Sequence, residues 1–138
     1  MRGFRETLCT KHMLEYIPEH FTTAEETGRF RSIAEHIDVI GSYLYSDETT
    51  NDDVAKYFSM AGIGHKEISN YETSLNYYFK SVSIRQRNNN EKALGLVYNN
   101  IAVLHNIRAN YRSALEYSHK AIEISEKFNV LPIDLVVA

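Results

Sequence analysis

Residues 55–84 and 95–124 are two versions of one pattern, and that repetition constrains the chain more than any other feature. Laying Ala55 on Gly95, a shift of 40 residues, brings His65 onto His105, Asn70 onto Asn110 and Tyr71 onto Tyr111. Leu75 then falls on Leu115, Tyr77 on Tyr117, Lys80 on Lys120 and Ile84 on Ile124, while Phe58 meets Tyr98, Gly62 meets Ala102, Ser74 meets Ala114, Ser81 meets Ala121 and Val82 meets Ile122. A fixed period of roughly 20 to 50 residues is the signature of units that stack because none can bury its apolar face alone. Function is therefore expected on a surface built by stacking.

The apolar spacing inside each copy is helical. The first copy carries Val54, Phe58, Ala61, Gly62, His65 and Ile68, turns at Ser69-Asn70, and continues through Tyr71, Leu75, Tyr78, Phe79, Val82 and Ile84. The second carries Leu94, Tyr98, Ile101, Ala102, Val103 and His105, turns at Ala109-Asn110, and continues through Tyr111, Ala114, Leu115, Tyr117, Ile122 and Ile124. Asn70 is expected to take the left-handed conformation that ends many helices, and Asn88-Asn89-Asn90 to break the pattern between copies. Gly62 and Ala102 face Ser74 and Ala114, which marks a close crossing of backbones, because a helical Gly costs about 0.5–1 kcal/mol relative to Ala. Phe58, Tyr71, Tyr98 and Tyr111 are expected to plug the spaces around that crossing.

Two further helices are expected ahead of the repeats. The stretch 5–21 is limited by Pro18, and a longer one follows a Thr22 or Thr23 cap, with Phe30, Ile33, Ile37, Ile40 and Leu44 on one stripe and a loosening near Gly28. Phe30, Ala34 and Ile37 faintly echo Tyr71, Ser74 and Tyr78, so residues 1–50 read as a divergent helical hairpin or cap. Thr50 or Asn51 caps the next helix. Residues 51–130 are then two repeats, 51–90 and 91–130, and 131–138 begin a further helix or a tail. That last stretch is apolar, which fits a fragment of a longer array or a tail that packs elsewhere.

These residues resemble the tetratricopeptide repeat family, whose pattern runs aromatic, Leu-Gly, Tyr, Ala, aromatic over about 34 residues. Tyr98, Ile101-Ala102 and His105 take its first-helix places, and Tyr111, Ala114-Leu115, Tyr117, Lys120-Ala121-Ile122 and Ile124 fill the second helix. Phe58, Ala61-Gly62, His65, Tyr71, Ser74-Leu75, Tyr77, Lys80 and Val82 do so in the earlier copy. The chain departs from that pattern in having no terminal Pro after either second helix and a period of 40; the longer second helices and that period resemble the subgroup found in kinesin light chains, Leu-Gly-Asn-rich spindle-orientation adaptors and bacterial peptide-sensing regulators. The resemblance implies an all-α fold, a right-handed superhelical solenoid of antiparallel helix pairs. It also implies a cytoplasmic, noncatalytic signalling or regulatory protein whose first helices line a concave groove for a protein or peptide. By register, the groove residues are Asn99, Asn100, Val103, Asn106 and Ile107, with Ser59, Met60, Ile63, Lys66 and Glu67 in the earlier copy. An Asn side chain offers one carbonyl and two N–H donors and so matches the pairing of a peptide group. The alternative role is self-association through the terminal repeat faces, or coupling to an output domain.

Other chemistry finds little support. The chain has 15 Lys and Arg against 18 Asp and Glu, and apart from Arg85 and Arg87 no basic patch for nucleic acid. Cys9 is the only cysteine, so no disulfide forms within the chain and a reducing compartment is expected. No apolar run reaches the roughly 18 residues of a membrane span, and no cofactor motif is present. Ala61-Gly62-Ile63-Gly64 lies in a helical stretch without the strand that a phosphate loop needs. None of the six histidines forms a recognised ligand spacing with another His or Cys, although His12 with Glu15 or Glu19 is a geometrically possible pair on a helix. His65 and His105 are read as half-buried packing residues that make the fold acid-sensitive if neutral.

Overall fold

A computed structural model describes residues 21–128, together with Glu15 and Ile17. Apart from Glu15, Ile17 and Phe21, the stretch 5–21 expected to be helical lies outside the described residues, as do Cys9, His12, His20 and residues 131–138; Ile17 is buried in the core and Phe21 packs against it. The described chain is all-α. It comprises α1 (Ala24–Leu44), α2 (Asp52–Glu67), α3 (Tyr71–Arg87), α4 (Glu91–Ile107) and α5 (Tyr111–Lys127), with no strand among the described residues.

The caps follow the sequence closely. Thr23 accepts from the Glu26 amide at 3.2 Å, and its hydroxyl donates to the Glu26 carboxylate at 3.1 Å, which caps the start of α1. Asn51 caps α2 through the Asp53 amide at 2.8 Å. α1 runs unbroken through Gly28, because nothing packs against that position and the helical bonds on either side continue.

α2 pairs antiparallel with α3. Ser74 donates to the Gly62 carbonyl at 2.6 Å and Ser81 to the Ala55 carbonyl at 3.0 Å, contacts that advance along one helix as they retreat along the other. A Cβ on Gly62 would lie 2.6 Å from the Tyr78 ring, so the crossing needs glycine there. Gly64 lies under the Phe30 ring and lets α1 sit directly on α2.

Two cores result, one on each side of α3. Phe30, Ile37 and Leu44 of α1 close over Val54, Tyr57, Phe58 and Ala61 of α2, joined by Tyr77 and Ile84. Tyr78 and Val82 face the other way and meet Leu94, Val97, Ile101 and Leu104 of α4 and Ile124 of α5. Neighbouring tyrosines in α3 thus serve different layers.

Three links turn the chain in the same manner. In the link after α2, the Asn70 amide bonds the His65 carbonyl at 2.8 Å and the Ser69 amide bonds Lys66 at 3.0 Å. The same pair of bonds recurs at Asn90 and Asn89, and again at Asn110 and Ala109. The left-handed residue is Ser69, Asn89 or Ala109, with φ of 65°, 57° and 59°. Asn70, expected in that role, and its counterpart Asn110 keep negative φ and instead aim their amides at His65 and His105.

Candidate functional site

The residues expected to line one groove divide into three environments. Asn99, Val103 and Asn106 on the outer side of α4 meet Tyr111, Leu115 and Ser118 of α5 around an open cleft of about 360 Å³. Ile107, at the end of α4, is half exposed. Asn100 turns inward, and its amide nitrogen is buried without a hydrogen-bond partner.

The earlier copy is arranged differently. Ser59 bonds Ser81 at 2.7 Å between α2 and α3, so its hydroxyl is used inside the hairpin. Met60 packs against the first core and Ile63 against the second, beneath α4. Lys66 and Glu67 pair with each other at 3.4 Å and are both partly covered. Ile63 is covered because the second hairpin sits on it, whereas its counterpart Val103 has no hairpin above it among the described residues.

The cleft is therefore the copy of an occupied interface. Ile63, Tyr71, Leu75 and Tyr78 of the first hairpin pack with α4. Forty residues on, Val103, Tyr111 and Leu115 are open, with Tyr111 65% and Leu115 61% exposed. Expecting Tyr111 to plug a core fails for this reason: Tyr71 does so only under α4. The alignment of Tyr71, Leu75 and Tyr78 with Tyr111, Leu115 and Ser118 was the signal that joins these residues to Asn99, Val103 and Asn106. Ser118 in place of Tyr78 removes a ring, which hollows the cleft and lets Ala102 replace Gly62.

His65 and His105 are buried rather than half-buried. His65 Nδ1 accepts from the Asn70 amide at 3.3 Å, so its Nε2–H donates to Asp38 at 2.8 Å, and Tyr77 donates to the same carboxylate oxygen at 2.5 Å. Asp38 thus ties α1 to α2 and α3. Burial, with the Asp38 carboxylate adding to it, holds the Tyr77 phenol far above its ordinary range. His105 stacks on Tyr117 at 5.8 Å as His65 stacks on Tyr77 at 5.5 Å, and its Nδ1 takes the Asn110 amide at 3.5 Å. Burial and then Arg108 lower its pKa, against a smaller pull upward from Glu116.

The basic pair is spent on structure. Arg85 bonds Asp52 at 2.9 Å, and Arg87 bonds the carbonyls of Thr49 and Ser46 at 2.8 and 3.1 Å, which pins the link before α2. The Ala61–Gly64 run lies within α2. Among the described residues, no group of three His, Cys, Asp or Glu side chains is placed to hold a metal, and no helix is long and apolar enough to cross a membrane. Comparison with known protein families, curated proteins and solved structures finds no match to this chain.

Proposed function

We propose that this chain is a noncatalytic protein-interaction module of the tetratricopeptide kind, its helix pairs belonging to a right-handed superhelical array. In this reading it serves a cytoplasmic signalling or regulatory protein. A partner segment binds along α4, with Asn99 and Asn106 pairing its backbone and Val103 and Ile107 contacting its side chains. The observation that supports this is the open cleft in which Asn99, Val103 and Asn106 stand together on successive turns of α4. Polar groups able to bond a peptide flank an apolar floor there, the usual composition of a binding surface. Asn100 carries a buried amide nitrogen with no partner among the described residues, a group that a rotated side chain would offer to a ligand carbonyl. Met60, Lys66 and Glu67 extend the surface, while Ser59 and Ile63 support it from within.

The test is an array of short synthetic peptides probed with the intact chain. A subset of peptides should be retained. The double substitution Asn100→Ala, Asn106→Ala should release them while leaving helical circular dichroism unchanged. Retention by the double variant at wild-type strength would defeat the reading.

A further inference from the structure

We infer that the open face of the second hairpin is a docking site for an amphipathic helix of a partner chain, bearing a carboxylate near its C-terminal end. This site deepens the interaction reading above and rests on it: it is the same cleft, taken together with the α5 face that borders it.

An interface already present in the molecule sets the pattern. The corresponding face of the first hairpin, made by Ile63, Tyr71, Leu75, Tyr78 and Val82, is covered by α4 through Leu94, Val97, Ile101 and Leu104. Those four residues follow the spacing of one stripe on a helix. Moved on by 40 residues, the receiving face becomes Val103, Tyr111, Leu115, Ser118 and Ile122, of which Val103 and Ile122 are 38% and 43% exposed. The geometry that accepts α4 is thus present a second time without α4. A helix with apolar residues at i, i+3, i+7 and i+10 fits it, and the hollow over Ser118 takes a bulky side chain where Tyr78 fills the first copy.

Charge then separates the second face from the first. Across the occupied interface Arg108, just past α4, pairs with Glu72 at 3.2 Å. The position 40 residues after Glu72 is Arg112, which is exposed. A helix that repeated α4 in full would bring its arginine against Arg112, so the fitting helix has an acidic residue four positions after its last apolar one. Residues 131–138 do not carry this pattern, since Asp134 stands where Leu94 inserts.

Two synthetic peptides provide the probe: residues 91–110 as they stand, and the same peptide with Arg108→Glu. Each is titrated into the isotope-labelled full chain and followed by amide resonances. The acidic peptide should shift Val103, Tyr111 and Leu115 and bind about threefold or more tighter than the natural one at low salt, with the difference shrinking as salt screens it. Leu115→Asp, at an exposed position, should abolish both interactions with the helical spectrum intact. Binding of these two peptides with none retained on the peptide array would defeat the groove reading alone, and the reverse would defeat this one alone. The proposal is overturned if neither peptide binds by about 1 mM, if the two bind equally, or if Leu115→Asp has no effect. It is overturned also if binding appears only after residues 129–138 are deleted, since the chain then covers its own face. A dimer of the chain alone that Leu115→Asp dissolves would overturn it as well, because the occupant is then a second copy.

Discussion

Gly62 and Ala102 hold the same place in the two hairpins, and the side chain opposite decides which residue is allowed. Tyr78 presses on Gly62, whereas Ser118 leaves Ala102 room. Gly62→Ala should therefore destabilise the chain by about 1–3 kcal/mol through overpacking, while Ala102→Gly should cost only the helical penalty of about 0.5–1 kcal/mol; urea unfolding of both variants checks the asymmetry. His105 gives a pH dependence. Its folded pKa lies below the ordinary 6.5, so the unfolded chain takes up the proton first as pH falls. Its stabilising contribution is complete above about 6.5 and is lost as pH drops below that value. Melting temperature should fall between about pH 7.5 and pH 5, and fall less in His105→Gln; equal slopes in the two proteins would refute the assignment. At this scale the sequence marked Gly62 and both histidines correctly as packing positions. It did not reveal that Asp38 would satisfy His65 and Tyr77, because that contact joins a divergent helix to the repeat and has no copy: the residue 40 positions after Asp38 is Tyr78.

At the level of elements, the period has a simple origin. α3 and α4 are each 17 residues long, and each is followed by a three-residue link, which accounts for the 40-residue step. Each link turns on one residue in the left-handed region, and none of the three is glycine. Ala109 has neither the polar side chain nor the freedom that suits this conformation, so Ala109→Gly should raise stability by about 0.5–1 kcal/mol. An unchanged denaturation midpoint would argue against strain at that corner. Helix positions were legible from spacing and caps, but the corner residues were not. Asn is the common non-glycine choice at a left-handed position, as at Asn89, but Asn70 and Asn110 are committed one residue later to the histidine rings.

In the whole molecule, α1 acts as a lid on the first hairpin. Phe30, Ile37 and Leu44 cover Tyr57, Phe58 and Ala61, all fully buried. A chain beginning at residue 51 exposes that layer and forfeits about 1.5–3 kcal/mol for each large apolar side chain uncovered, so its melting temperature should drop by more than about 10 °C. An unshifted transition in calorimetry would show that the repeats stand without the lid. The pairing within each hairpin was readable from the 40-residue echo, since His65 and His105 stack on Tyr77 and Tyr117 alike. The expected groove was less readable, because alignment compares residues and not their neighbours: Ile63 and Val103 match, yet only one has a hairpin above it. The exchange of Glu72 for Arg112 carries a consequence for how such a chain grows. Tandem duplication of the second hairpin would set the new Arg108 against Arg112, a clash of like charge at the first joint. A unit that docks on this face must therefore differ from the second hairpin at the position of Arg108.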